Sequence, residues 1–265
     1  MHKVAEIEFA DLSDIGCERD QNEDSYAYWE PQSADGTDKG RLAVIADGMG
    51  GYEGGQEASR IAVQTVCEIY ASTSIPDHQL ALLESVRAAH DRIQEYAAQH
   101  PDLFGMGTTC TAACIANGLL HYVHVGDSRL YLLRNDTISQ LTNDHSYVAR
   151  LVKSGALSAE EAETHPQRHI LTAALGIGDE PVFETPAAPL ELEPGDALLL
   201  CTDGLWGTVS DQEMRDLANR GTVSDACREL VHLAKERGGP DNITVQLLRI
   251  SQNGSPSIES SGRVD

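Results

Sequence analysis

Positive charge is scarce in this sequence. Over 265 residues, 19 Lys and Arg stand against 42 Asp and Glu, a formal net charge of −23. A surface of that sign repels nucleic acid and anionic lipid, so neither is expected as a general partner. Aromatic residues make up 5% of the chain, which leaves the core to Leu, Ile, Val and Ala. The six cysteines include no C-x-x-C pair and most sit among apolar neighbours. Reduced core thiols in a reducing compartment are the expectation. No apolar run approaches the roughly 20 residues that cross a bilayer. The opening MHKVAEIEFADL lacks a basic region followed by a long apolar stretch. The expectation is a cytoplasmic protein and, since no coiled-coil pattern occurs, a monomer.

What is present is strongly periodic. Residues 4–12 and 24–29 read as strands, and RLAVIAD at 41–47 as a short buried strand followed by a Gly-rich turn. Helical spacing follows over 56–72, where Ala58, Ile61, Ala62, Thr65, Val66 and Ile69 share a face, and again over 77–98. Residues 107–134 change to Thr-, Val- and Tyr-bearing runs split by Asn117-Gly118 and Gly126-Asp127-Ser128. Asn-Gly between two such runs is a hairpin signal. The segment 143–180 is irregular, with short helices near 146–153 and 158–163 and the sequence HPQRH at 165–169; a flap and a plain connecting subdomain both fit it. A strand at 196–202, helices at 210–219 and 222–236, and a strand at 242–250 complete a domain over residues 1–250. The Ser-, Gly- and Pro-rich stretch 251–265 reads as a disordered tail. This order predicts an α+β fold, an antiparallel or mixed β core with helices outside it, rather than a doubly wound parallel sheet.

Four aspartates share one kind of position. Asp47 ends LAVIAD before Gly48, Asp203 ends LLLCTD before Gly204, Asp127 follows a strand in VHVGDS, and Asp241 precedes one in GGPDNITV. Any one alone is ordinary turn chemistry. Four together are a different matter, because strand ends that converge would crowd carboxylates that repel unless protons or cations neutralise them. Oxygen-only donors suit Mg, Mn or Ca. Other phosphate chemistries are excluded: no Cys has Arg six residues on, no Gly-Lys pair exists for a P-loop, and GMGGYEGG at 48–55 carries Glu53 where a dinucleotide loop needs its last Gly. A zinc site is not supported by His121 and His124, whose spacing on a strand puts them on opposite faces. Arg19, in RDQNED at 19–24, either anchors a phosphate as a planar donor or neutralises its acidic neighbours Asp20, Glu23 and Asp24. Both readings remain open on local sequence.

The segments RDQNED, VIADGMGG (44–51), GTTCTAA (107–113), VGDSRLYL (125–132), HPQRHILTAALG (165–176), LLLCTDGLW (198–206) and GGPDNITV (238–245) together resemble the protein phosphatase 2C-like family of metal-dependent Ser/Thr phosphatases, in its compact bacterial form. The resemblance implies a central β sandwich of two mostly antiparallel sheets flanked by pairs of helices, in α-β-β-α layers. It implies Mn or Mg, two ions with a weaker third. Asp47 would bridge the two, with the Gly48 carbonyl as a further ligand. Asp203 and Asp241 would complete one shell, and Asp127 with Asp203 would hold the third ion. Arg19 matches the phosphate-binding Arg, and Glu23 and Asp24 match acids that touch the shell, often through water. The implied reaction is hydrolysis of phospho-Ser and phospho-Thr by a metal-activated water, on phosphorylated proteins that include a Ser/Thr kinase or its substrates. Residues 143–180 would be the flap where substrate is chosen. The sequence departs from the family where a His is common: Tyr52 and Met49 stand at those positions, so the proton donor is left to Tyr52 or to water. Two other readings compete: a same-fold sensor that binds a phosphoprotein without turnover, and a calcium-stabilised binding protein.

Overall fold

The structure, a computed structural model, describes residues 6–31, 39–50 and 54–251. In chain order the elements are β1 (Ile7–Asp14), β2 (Asp24–Trp29), β3 (Arg41–Met49), α1 (Gly54–Ser72), α2 (His78–Gln99), β4 (Gly107–Thr108), β5 (Cys110–Ala116), β6 (Leu119–Val125), β7 (Arg129–Arg134), β8 (Thr137–Gln140), α3 (Tyr147–Lys153), α4 (Ala159–Glu163), β9 (Leu190–Glu191), β10 (Ala197–Cys201), α5 (Asp203–Trp206), α6 (Asp211–Ala218), α7 (Val223–Glu236) and β11 (Ile243–Ile250).

The strands form two antiparallel sheets. One runs β1-β11-β10-β7-β8; the other runs β2-β3-β5-β6-β9, with β4 paired to β3. Strand alternation builds the layers. Along β3, Ala43 and Ile45 point between the sheets, where they meet Leu130, Leu132, Leu198, Leu200 and Leu248. Leu42, Val44 and Ala46 point the other way, onto Val66, Leu82 and Ile93 of α1 and α2. On the opposite sheet, Tyr131, Leu199, Val245 and Leu247 face Leu230 and Val231 of α7. Both faces of each central strand are therefore covered, which is why LAVIA and ALLLC are continuous apolar runs rather than alternating ones.

The expected α+β sandwich with outer helices is the fold observed. The helix expectations hold to within about two residues at the ends, where hydrogen-bonding and periodicity definitions diverge anyway. The first strand begins at Ile7, later than its apolar pattern suggests, because its register is set by β11, with Ile7 opposite Ile250 and Asp14 opposite Ile243. Two strands, β8 and β9, are too short to show a period. All six cysteines are free: Cys110, Cys114, Cys201 and Cys227 are buried, Cys67 is half-buried and Cys17 is exposed. No helix among the described residues is long and apolar enough to cross a membrane. The stretch read as a tail lies outside the described residues from position 252 onward, as does Tyr52.

Leu199 tests the outer layer. It is fully buried in β10 between β7, β11 and α7. Leu199→Ala is expected to cost about 2–5 kcal/mol of unfolding free energy, measured as a lower urea midpoint with an unchanged m-value.

Candidate functional site

The site lies where the β2–β3 end of one sheet meets the β10–β11 end of the other. Register places Asp24 directly opposite Asp47. From the other sheet, the fully buried hydroxyls of Thr202 and Thr244 both donate to Asp24 Oδ2, at 2.9 and 2.6 Å. Thr202 immediately precedes Asp203, the first residue of α5, so the bond that pins Asp24 also brings in Asp203. Glycine lets the chains approach this closely. A Cβ on Gly204 would stand 2.0 Å from the Asn242 carbonyl, and one on Gly48 would stand 2.0 Å from the Gly55 carbonyl.

The loop that carries Arg19 is held by Asn242. Its Nδ2 donates to the carbonyls of Ile15 and Gln21, both at 2.9 Å, and its Oδ1 accepts from the Glu23 amide at 2.8 Å. Glu23 in turn accepts the Gly48 amide on its carbonyl at 3.1 Å. Arg19 donates through one terminal nitrogen to Asp241 Oδ2 at 2.7 Å, with its side chain 48% exposed. Its partner is thus Asp241, from the far end of the sequence, rather than one of the acids beside it in RDQNED.

Asp127 reaches the site on the turn after β6. The Trp206 indole N–H donates to the Asp127 carbonyl at 2.9 Å. The Arg129 guanidinium lies 3.6 Å over the Trp206 ring and forks onto Asp144 at 3.0 and 2.7 Å. Arg129 is the last residue of GDSR, and the sequence reading gave it no role. Here it ties the Asp127 turn to α5, which carries Asp203. Only the fold shows its partners, since Trp206 is remote in sequence.

Crowded charge is visible in the titration behaviour. Asp47 is pushed well above the usual carboxylate range, first by burial and then by Asp24, Asp203, Asp127 and Asp241. Burial also drives Asp127 well up, with Asp203 and Asp144 adding repulsion. Asp241 is raised by burial and Asp203 against the pull of Arg19. Glu23 is raised chiefly by burial, with Arg19 opposing and Asp241 adding to the rise. Asp24 is pushed up to about 7 by burial, although the Thr244 and Thr202 hydroxyls favour its charged form. Two carboxylate oxygens, Asp24 Oδ1 and Asp203 Oδ1, are buried without a hydrogen-bond partner.

The segment 143–180 is closed at its base. His145 and Ile170 accept the Thr172 and Tyr147 amides at 2.7 and 2.8 Å. It carries α3 and α4 and brings the exposed His169 within 3.9 Å of Asp203, Nδ1 to Oδ2. Every sequence-predicted residue, Arg19, Glu23, Asp24, Asp47, Gly48, Asp127, Asp203 and Asp241, belongs to this one junction. Met49 ends β3 beside it.

Residues 18–248 match the family described as Protein phosphatase 2C. The chain belongs to the protein phosphatase 2C family. It is 37% identical over 241 residues to the serine/threonine phosphatase stp of Listeria innocua, covering 89% of this chain and 93% of that protein. It is 38% identical over 240 residues to the serine/threonine protein phosphatase PstP of Mycobacterium tuberculosis, covering 90% of this chain but only 44% of that longer protein. Among solved structures it resembles the catalytic domain of PstP in complex with two manganese ions, with a TM-score of 0.79 and 35% identity, covering 93% of this chain and 99% of that one.

A protein phosphatase 2C site this crowded makes a pH prediction for the metal-free protein. Asp24 has a folded value near 7 against about 4 unfolded. A raised carboxyl adds stability that is complete below the unfolded value and lost as pH rises through the folded one. Metal-free protein is therefore expected to melt at higher temperature at about pH 6 than at about pH 8. Asp24→Asn should flatten that slope; identical slopes for the two proteins would show that Asp24 does not carry the effect.

Proposed function

We propose that the chain is a metal-dependent protein serine/threonine phosphatase that hydrolyses phospho-Ser and phospho-Thr. The observation that carries this reading is the convergence of buried and partly buried carboxylates at the junction of the two sheets, two of whose oxygens have no donor. That donor set is all oxygen and strongly anionic, which fits hard divalent cations. Asp47, the Gly48 carbonyl, Asp203 and Asp241 would hold Mn or Mg as a pair, and Asp127 with Asp203 a weaker third. Glu23 and Asp24 would act on the shell through water. Ions held there supply a water nucleophile and positive charge for a phosphoryl group in flight.

The protein's own groups do the rest. Arg19 presents a half-exposed planar guanidinium beside the cluster, suited to two phosphate oxygens at once. With a cation held by Asp241, Arg19 would be free to turn to the phosphate. No side chain is placed as a covalent nucleophile in this reading. The leaving alkoxide needs a proton, for which Tyr52 and water remain the sequence-based choices; His169 adds an imidazole at the edge of the site. The flap at 143–180 overhangs Asp203 through His169, which supports a role in choosing phosphoprotein substrates. A Ser/Thr kinase whose phosphorylation it reverses is the natural partner. A cytoplasmic monomer in signalling completes the proposal.

The test is hydrolysis of an aryl phosphate with Mn. EDTA should abolish it and restored Mn recover it. Asp203→Asn should lower kcat/KM about 100-fold or more, since even outer-shell partners of metals cost 10–100-fold. Arg19→Ala should raise KM while leaving metal affinity intact. Activity that survives both EDTA and Asp203→Asn would sink the metal-dependent reading.

A further inference from the structure

A second group of ligand-type side chains lies behind the Asp127 turn. We propose that His124, His145 and Glu184 form a nitrogen-rich site for a zinc-class divalent cation, separate from the aspartate cluster. One ligand atom from each lies within 4.8 Å of the others. Among the described residues this is the one group of His, Cys, Asp or Glu that closes to such spacing. The aspartates stand further apart, as suits ions that keep several waters.

The backbone builds this group. His124 and Glu184 are paired by an isolated antiparallel bridge, each amide donating to the other's carbonyl at 2.9 Å. Directly opposed residues of such a pair project to the same side. His145 joins them from the next segment, its amide donating to the Gly126 carbonyl at 2.6 Å and its ring centroid 5.0 Å from that of His124. The spacing of His121 and His124 gave no zinc site because the partners of His124 come from elsewhere in the chain.

The hydrogen bonds around the group resemble those that orient metal ligands. His124 is fully buried. Its Nδ1 bonds Thr111 Oγ1 at 2.9 Å, and that hydroxyl donates onward to the Ser128 carbonyl at 3.2 Å. The chain fixes the proton on Nδ1 and leaves a bare lone pair on Nε2, which has no partner. Burial also holds this imidazole down to about 3, neutral as a ligand must be. Glu184 is clamped by Asn143, which donates its amide to Oε2 at 2.9 Å and Nδ2 to Oε1 at 2.7 Å. Glu184 Oε2 and His145 Nε2 stand 3.8 Å apart, and both residues are partly exposed, which gives an entry path and a fourth position for water. Two imidazoles and one carboxylate are a zinc donor set, poorly suited to Mg.

Coordination has a defined cost at His145. Its Nδ1 accepts the Gly126 amide at 3.3 Å, so Nε2 carries the proton in the metal-free state. Binding moves the imidazole proton to Nδ1, the Nε2 position is taken by the cation, and the long Gly126 contact opens. Gly126 precedes Asp127, so occupancy is felt at the phosphatase site.

The experiment uses the full chain saturated with Mg and titrated with Zn or with Co as its spectroscopic substitute. The expected result is one additional tightly held ion per chain, with the intense visible absorption of four-coordinate Co. Glu184→Gln and Thr111→Val should each weaken that ion's affinity roughly 10–100-fold, while Asp241→Asn should leave it and its spectrum in place. The proposal is overturned if wild type takes up no such ion, if only the Asp241 substitution removes it, or if both folded variants bind like wild type.

Discussion

The rest of this structure depends on mutual repulsion among carboxylates held where water is scarce. Asp24, Asp47, Asp127 and Asp241 are each raised in part by the charge of Asp203. Uncompensated buried charge of this kind is costly, and a fold keeps it only if surrounding bonds hold the groups in place. Here the holding bonds are hydroxyls from the opposite sheet, the hydroxyl of Thr109 just before β5, and one arginine. Thr202 and Thr244 fix Asp24. Thr109 accepts the Asp47 amide on its hydroxyl at 2.8 Å. Each clamp crosses from one element to another, so the site and the sandwich are stabilised together.

That arrangement explains why the short motifs contain more than acids. Gly204 exists to let α5 touch the Asn242 carbonyl. Asn242 exists to tie the Arg19 loop to the start of β11. Arg129, stacked on Trp206 and forked onto Asp144, holds the segments that carry Asp127 and Asp203 in one geometry. A cation–π contact with a bidentate carboxylate fork is stiff in direction as well as strong. The residues between the acids therefore act as spacers and clamps, and their chemistry is dictated by the distances they must maintain.

Much of this was legible in the sequence, and the parts that were not have a common cause. The continuous apolar runs at 41–46 and 197–201 announced strands buried on both faces, and the aspartates at their ends announced the site. Period-based reading missed β8 and β9, which contain four and two residues. It also left the partner of Arg19 open between a phosphate and the acids of its own loop, because Asp241 is 222 positions away. His124, His145 and Glu184 were invisible for the same reason. A bridge between residues 60 positions apart in the chain has no local signature.

The two groups of polar side chains differ in a way that bears on how each would choose a cation. The aspartate cluster offers oxygen, open spacing and excess negative charge, so it selects for hard ions that bring water with them. The histidine group offers nitrogen, closer spacing and a lone pair already stripped of water, which removes much of the desolvation that a borderline-soft ion would otherwise face. Donors of these two kinds would thus separate ions by chemistry rather than by affinity alone. The Gly126–Asp127 turn is shared: Gly126 bonds His145 in both directions, through its carbonyl and through its amide. An ion bound at His145, as proposed above, would therefore act on the turn that carries Asp127, and by reciprocity an ion at Asp127 would act on the affinity at His145.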